Sequence, residues 1–199
     1  MGKIFYLMGK SSAGKDSFYK ELVLNKELNL KQVVSYTTRP IRDGESDGLE
    51  YFFVTKEQFE KFKHDGKIIE YRAYDTVHGV WYYFLADDGQ IDFSKSDYIL
   101  IGTLEGYLSL KKYFGEKSIV PIYIEVDDGI RLQRALDREK TQSKPEYEEM
   151  CRRFLTDSKD FSEEKLHNAG IEKRFNNVDF DVTYKELIDY IGSVIKYGY

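Results

Sequence analysis

A run of small residues with two lysines, close to the N-terminus, has the residue types and spacing that most clearly predict chemistry. It reads Gly9-Lys10-Ser11-Ser12-Ala13-Gly14-Lys15-Asp16-Ser17. Small side chains at this spacing let backbone N–H groups surround phosphate oxygens, and the second lysine can bridge a phosphoryl group during its transfer. The chemistry that this run predicts is the binding of a phosphate chain.

This phosphate loop (Gly9–Ser17) needs a strand before it and a helix after it, because the helix N-terminus adds a partial positive charge. Lys3–Met8 is an apolar and aromatic run typical of a buried strand, and Lys15–Leu24 has the apolar spacing of a helix. The combination indicates a P-loop that binds ATP. The expected ATP-binding residues in the loop are Gly9, Ser11, Ser12, Ala13, Gly14, Lys15, Asp16 and Ser17.

The loop has one irregularity. Ser or Thr usually follows the lysine, but here Asp16 stands at that position and Ser17 comes next. Ser17 is therefore the expected ligand for Mg²⁺, directly or through water. Two interpretations of Asp16 stay open: its carboxylate favours the first helical turn electrostatically, or it takes part in metal binding.

Two later segments carry a second group of arginine, tyrosine and acidic residues. Val34-Ser35-Tyr36-Thr37-Thr38-Arg39-Pro40-Ile41-Arg42-Asp43-Gly44-Glu45 is followed by Gly48-Leu49-Glu50-Tyr51-Phe52-Phe53-Val54. Together with the phosphate loop, these segments resemble the guanylate kinases, and a looser resemblance extends over nearly the whole chain. The resemblance implies a nucleoside monophosphate kinase that uses ATP and Mg²⁺ to phosphorylate GMP or dGMP.

The resemblance also implies the residues that bind the acceptor nucleotide. The implied GMP-binding residues are Ser35, Arg39, Arg42, Tyr51, Glu70 and Tyr82. Guanidinium forks and phenols suit the phosphate of GMP. A carboxylate suits guanine because N1–H and N2–H₂ are adjacent donors, so Glu70 is expected at the base with Ser35. Tyr82 is the expected second phenol at the phosphate.

Arginines on a later helix predict a lid over the triphosphate. Arg134 and Arg138 lie four residues apart and share one helix face. In the resembled family such a pair, with an arginine on the next helix (Arg153 here, or Arg152), neutralises charge on the transferring group. The alternative is a solvated basic face. The implied catalytic residues are Lys15, Arg39, Arg134, Arg138 and Arg153, and Asn177 is the expected adenine contact.

The sequence departs from the resembled family at Tyr98–Gly102. Guanylate kinases carry two aspartates at the end of this strand, where this chain has Ile101 and Thr103. Several consequences stay open: Asp16 or Glu105 supplies the missing charge, catalysis is slower, or the acceptor is not GMP.

The elements that must position these residues predict an α/β fold. Tyr98–Gly102 and Ile119–Val126 are apolar runs typical of buried parallel strands, each followed by a helical pattern, and Gln32–Tyr36 is interpreted as a further strand. We expect a P-loop kinase fold, with a parallel sheet and helices on both faces, plus a small strand-rich acceptor-binding lobe and a helical lid. Within a single domain, 1–199, the expected core is about 1–36 and 91–199, the lobe about 37–90 and the lid about 134–160.

Composition limits the class of protein. With 199 residues and a formal net charge of −5, the chain is a poor candidate for binding nucleic acid. A lone cysteine, Cys151, excludes an internal disulfide, and no apolar run is long enough for a membrane span, so a cytoplasmic protein is expected. The expected partners are small-molecule nucleotides, ATP and GMP, with no nucleic acid and no membrane; a homodimer is left open.

Two other functions stay open. One is a P-loop kinase for another phosphorylated acceptor, such as ribose 1,5-bisphosphate, whose kinases are known for the Gly-Lys-Asp-Ser sequence found here. The other is a guanylate-kinase-like interaction module without catalysis. Retention of Lys15 argues against the module. The different acceptor is disfavoured by the retention of Ser35, Arg39, Arg42, Tyr51 and Glu70.

Overall fold

A computed structural model describes residues 2–42, 44–76 and 79–198. Asp43 of the run Val34–Glu45 lies outside the described residues. The sequence also predicts a turn over residues 76–79, and the tip of that turn, 77–78, lies outside them as well. The elements are β1 (Ile4–Met8), α1 (Lys15–Leu24), β2 (Lys31–Gln32), β3 (Tyr36–Thr37), β4 (Phe52–Phe53), α2 (Lys56–His64), β5 (Ile68–Thr76), β6 (Gly79–Ala86), β7 (Tyr98–Ile101), α3 (Leu104–Phe114), β8 (Ile119–Glu125), α4 (Asp128–Lys140), α5 (Tyr147–Asp160), α6 (Glu163–Asn168), β9 (Arg174–Asn176) and α7 (Phe180–Tyr197).

The central sheet is parallel and has the order β2-β7-β1-β8-β9. Strand β1 lies in the middle and all five of its residues are buried. Successive side chains of a strand point to opposite faces. Ile4, Tyr6 and Met8 therefore pack with α3 and α6, whereas Phe5 and Leu7 pack with α1 and α7. A parallel sheet with helices on both faces confirms the predicted fold class.

A second sheet has the order β4-β3-β6-β5, and its longest pair is the antiparallel hairpin of β5 and β6. In that hairpin Tyr74 lies opposite Trp81. Helix α2 covers the sheet with Phe59, which is fully buried. The sequence Thr55-Lys56-Glu57-Gln58 predicts a capping box, and the helix begins with one, in which Thr55 and Gln58 bond each other's backbone N–H groups.

The predicted strand Gln32–Tyr36 is wrong as a single element. Gln32 pairs with β7 in the central sheet, whereas Tyr36 pairs with β4 and β6 in the second sheet. Between them the side-chain amide of Gln90 bonds both backbone groups of Val34, at 2.9 Å to its N–H and 3.1 Å to its carbonyl. A side chain thus takes the place of a neighbouring strand where the chain crosses between sheets.

Two elements near the C-terminus were not predicted: the short strand β9 and the helix α6. Strand β9 has three residues, two of them polar, so it carries no alternating pattern long enough to detect. Among the described residues, no helix has the length and apolar composition needed to cross a membrane.

Candidate active site

The phosphate loop has the backbone geometry of an anion-binding turn. Ser12 has a φ of 63° and Gly14 a φ of 94°, both in the left-handed region. A Cβ at Gly14 would lie 2.2 Å from Asn177 Nδ2, so glycine is required there for space as well as for conformation. The loop ends at the N-terminus of α1, as a phosphate site requires.

Asn177 supports the phosphate loop through a side-chain hydrogen bond. Its side chain is buried, and Nδ2 donates to the Ala13 carbonyl at 2.7 Å. Its backbone carbonyl accepts from Arg134 Nη2 at 3.2 Å. Asn177 therefore links the loop to α4, a positioning role that the sequence did not suggest. Its expected contact with adenine stays a prediction.

A cavity of about 460 Å³ lies over the loop, and we call it the loop cavity. It is lined by Ser12, Gly14, Asp16, Ser17, Arg134, Arg138, Asn177 and Phe180. The structure thus brings the predicted lid pair, Arg134 and Arg138, to the phosphate loop and to Ser17. Lys15 Nζ lies 3.6 Å from Asp16 Oδ2, and the Lys15 side chain is largely buried.

Helix α5 is tied to the phosphate loop through a network that sequence reasoning missed. Asp157 Oδ2 accepts from the Ser11 backbone N–H at 2.7 Å. The same oxygen lies 3.4 Å from Arg131 Nη1, and Arg131 also donates to the Ser11 carbonyl at 3.3 Å. Arg131 is 1% exposed and its guanidinium lies 4.1 Å from the centroid of the Phe154 ring. This burial is the signal that distinguishes Arg131 from the other arginines of α4.

Arg153 lies apart from the loop cavity. Its Nε donates to Glu149 at 2.8 Å, and Arg152 binds the same carboxylate from the next position. Arg153 borders a pocket of about 300 Å³ between α4 and α5, together with Ser11, Ser12 and Arg138. Its expected role over the triphosphate stays a prediction.

Arg39 is buried beside the second sheet, and its expected roles in catalysis and in GMP binding stay predictions. Its guanidinium makes a two-pronged pair with Glu45, at 2.7 Å and 2.5 Å, and its Nε donates to the Tyr83 hydroxyl at 3.1 Å. The bonds to Arg39 hold the pKa of Glu45 down at about 2. The Arg42 side chain is exposed, and its backbone N–H donates to Glu45 at 2.8 Å.

The phenol beside Arg39 is Tyr83, and the expected contact of Tyr82 with the phosphate of GMP stays a prediction. The rings of Tyr51 and Tyr83 pack edge to face at 5.5 Å, and Tyr51 also faces the Arg39 guanidinium at 5.4 Å. Tyr82 points to the other side of β6 and stacks on Phe59 at 4.1 Å. Neighbouring residues of a strand face opposite ways, so only one of these two tyrosines can face Arg39.

A second cavity, of about 470 Å³, lies between α1 and the second sheet, and we call it the lobe cavity. Ser35, Tyr51, Arg72 and Ile101 border it, as does Asp16. Because Asp16 also borders the loop cavity, the two cavities share a wall at the first turn of α1. Burial and the neighbouring Tyr83 raise the pKa of Tyr51.

Glu70 lies on β5 beside Arg72. The Glu70 side chain is 9% exposed, and its Oε1 lies 3.6 Å from Arg72 Nη2. Burial raises the pKa of Glu70, while the positive charge of Arg72 opposes that rise. Arg72 was not among the residues expected from sequence, although a charged residue two positions from Glu70 on a strand must share its face.

The two positions that lack aspartates have structural roles here. Ile101 packs against the core beside α1, and the Thr103 hydroxyl caps α3 by accepting from the Gly106 N–H at 3.2 Å. The Tyr6 hydroxyl fills the adjoining space: a Cβ at Gly102 would lie 2.0 Å from it and one at Gly106 would lie 2.4 Å from it. Asp16 and Glu105, the suggested substitutes, are both exposed.

The family model described as guanylate kinase matches residues 1–193. The chain belongs to the guanylate kinase family. This membership confirms the resemblance drawn from the two sequence motifs.

Among curated members of the guanylate kinase family, the guanylate kinase of Fusobacterium nucleatum is 27% identical over 208 residues, covering 100% of this chain and 98% of that protein. The guanylate kinase of Thermotoga maritima is 35% identical over 143 residues, covering 69% of this chain and 67% of that protein. The crystal structure of guanylate kinase from Anaplasma phagocytophilum aligns with a TM-score of 0.61 at 22% identity, over 96% of this chain and 85% of that one. At that identity the structural likeness supports the fold.

Proposed function

We propose that this protein is a nucleoside monophosphate kinase that transfers the γ-phosphoryl group of ATP to GMP or dGMP. The observation that carries the proposal is the shared wall of the loop and lobe cavities at Asp16. An ATP whose phosphates lie on the loop would meet an acceptor phosphate in the lobe cavity across the first turn of α1. Family membership supports the same activity.

In the proposed reaction an oxygen of the GMP phosphate attacks the γ-phosphorus of ATP, and the bond from that phosphorus to the β-bridging oxygen breaks to release ADP. The attacking oxygen is already ionised, so no general base is required. Lys15 and the loop amides would hold the phosphates of ATP, while Arg134 and Arg138 would neutralise charge on the transferring group. The exposed Arg42, with Tyr51 and Tyr83, would hold the phosphate of GMP.

Ser17 and Asp16 are the residues that would hold Mg²⁺. Both side chains are exposed at the loop cavity, and among the described residues no group of three acidic, histidine or cysteine side chains forms a separate metal site. This fits Mg²⁺, which keeps several waters and takes one or two protein ligands in addition to phosphate oxygens. When bound, Mg²⁺ neutralises charge on the β- and γ-phosphates.

We also propose three working parts: a core built on the central sheet, an acceptor lobe built on β3 to β6 with α2, and a lid formed by α4 and α5. Closing the lid would exclude water and so limit hydrolysis of ATP. Cytoplasmic location and the absence of nucleic-acid partners belong to the same proposal, which takes ATP and GMP as the partners. A homodimer stays open.

A coupled assay of ADP release tests the proposed function. The acceptors are GMP, dGMP, AMP, UMP, CMP and ribose 1,5-bisphosphate, each with ATP and Mg²⁺. We expect turnover with GMP and dGMP and its loss in Lys15→Ala, whereas the matched exposed variant Lys26→Ala keeps it. Faster turnover of ribose 1,5-bisphosphate than of GMP would show that GMP is not the acceptor. Binding of GMP without turnover of any acceptor would support an interaction module instead.

A further inference from the structure

Arg72 lies in the wall between two cavities and has no role in the reaction as described so far. On one side it borders the lobe cavity with Ser35 and Tyr51. On the other it borders a cavity of about 710 Å³, with Thr103 and Glu105. Arg72 also lies opposite Tyr83 in the hairpin, so it is within reach of a nucleotide bound in the lobe cavity.

The guanidinium of Arg72 has unused donors. Its Nε is buried and has no hydrogen-bond partner among the described residues. Its contact with Glu70, at 3.6 Å, is longer than a normal hydrogen bond. Arg39 differs, since its guanidinium makes four hydrogen bonds within the protein. A buried donor without a partner is unfavourable. The unpartnered Nε of Arg72 is therefore best explained if a bound ligand supplies the acceptor.

Arg72 and Glu70 together present both kinds of hydrogen-bonding group on one face of β5. They are two residues apart, so their side chains share that face. Guanine carries acceptors at O6 and N7 and donors at N1 and N2, and an arginine fork on O6 and N7 is the commonest specific contact to guanine in nucleic-acid recognition. A donor fork beside a carboxylate therefore matches one continuous edge of guanine.

On the facing positions of strand β6, Tyr83 lies opposite Arg72 and its hydroxyl already accepts from Arg39 Nε, whereas Leu85, opposite Glu70, carries no donor. We propose that Arg72 determines acceptor specificity: its guanidinium donates to O6 and N7 of guanine, while Glu70 accepts from N1–H and N2–H₂. This inference rests on the proposed function, because it concerns the base of the same acceptor.

The test compares GMP with 7-deaza-GMP, in which a C–H group replaces N7. In the wild type we expect kcat/KM for GMP to exceed that for 7-deaza-GMP by about tenfold, the effect of one hydrogen bond to a charged donor. Arg72→Lys keeps the positive charge beside Glu70 but loses the fork. We expect the preference to fall to about twofold in that variant, while Arg174→Lys, outside both cavities, keeps the wild-type ratio.

Several outcomes would overturn the assignment. They are a wild-type ratio near one, an unchanged ratio in Arg72→Lys, and faster turnover of GMP in that variant, which would mean that Arg72 only obstructs Glu70. If Arg72→Lys does not fold, the wild-type ratio decides. If the wild type does not phosphorylate GMP, the proposed function fails separately, and calorimetric affinities for the same two nucleotides then test Arg72.

Discussion

At the scale of the residue, the pair of Arg39 and Glu45 organises the loop that faces the proposed phosphate site. Glu45 accepts from the Arg39 guanidinium and from the backbone N–H of Arg42. One carboxylate therefore holds the side chain of Arg39 and the backbone of Arg42. Arg39 is 4% exposed, and removing its anionic partner would leave a buried charge uncompensated.

The lowered pKa of Glu45 predicts a dependence of stability on pH. Its pKa is about 2 in the folded protein against 4.5 ordinarily, so its contribution to the free energy of unfolding is present above about pH 4.5 and is lost as pH falls toward 2. We expect Glu45→Gln to lose on the order of 2 kcal/mol at pH 7. Urea unfolding from pH 7 to 3 should show a flatter profile for this variant, with Glu60→Gln as control; parallel profiles would contradict the prediction.

The two adjacent tyrosines of β6 give a matched pair of substitutions. Tyr83→Phe removes the hydroxyl that accepts from Arg39 Nε, so we expect KM for GMP to rise about fivefold. Tyr82→Phe keeps the ring that stacks on Phe59 and should leave KM for GMP within about twofold of the wild type. Steady-state kinetics at saturating ATP measures both. A larger rise in KM for GMP in Tyr82→Phe than in Tyr83→Phe would support Tyr82 as the contact with the phosphate.

At the scale of the element, the phosphate loop is fitted to the segment that follows β9. Gly14 and Gly66, just beyond the end of α2, both have positive φ, 94° and 66°, but a Cβ at Gly14 meets Asn177, whereas none of the described atoms lies within 4 Å of a Cβ at Gly66. The two glycines therefore separate backbone strain from steric conflict.

We expect Gly66→Ala to cost about 1 kcal/mol, the strain of a left-handed alanine, and Gly14→Ala to cost about 3 kcal/mol because a clash is added. Combining Gly14→Ala with Asn177→Ala should recover part of that loss. The measurement is urea unfolding of the three variants. Equal losses in the two single variants would show that Asn177 moves aside freely.

Most of the elements could be predicted from local patterns, because strand β1, helix α1 and the capping box at Thr55 each depend on residues close in sequence. The division of the predicted strand Gln32–Tyr36 could not, since it depends on Gln90, which lies 56 positions after Val34. Family resemblance predicts Glu70 as a contact to the base. It does not indicate Arg72 or Arg131, whose surroundings include neighbours on other elements.

At the scale of the whole molecule, an acidic chain has to attract two polyanions. The formal net charge is −5, so attraction must come from local cationic groups, chiefly Lys15 of the phosphate loop and Arg134 and Arg138 of the loop cavity. Such attraction acts over about 8 Å at physiological ionic strength and weakens as salt is added.

We therefore expect KM for ATP to rise with potassium chloride in the wild type, and to rise less steeply in Arg138→Gln, which lacks an exposed charge at the loop cavity. Lys61→Gln changes an exposed lysine on α2, the helix that covers the second sheet. It should keep the wild-type dependence of KM on salt. Initial rates at several salt concentrations and constant Mg²⁺ give the slopes. Equal slopes for wild type and Arg138→Gln would contradict this role of Arg138.

The position of Trp81 has a practical consequence. It is the single tryptophan of the sequence and lies in the β5–β6 hairpin, opposite Tyr74 and on the strand that carries Tyr83. Light that excites indole but not phenol therefore produces emission from the second sheet alone. The protein thus carries an intrinsic fluorophore in its proposed acceptor lobe, with which arrival of a nucleotide there can be followed in real time without attaching a dye.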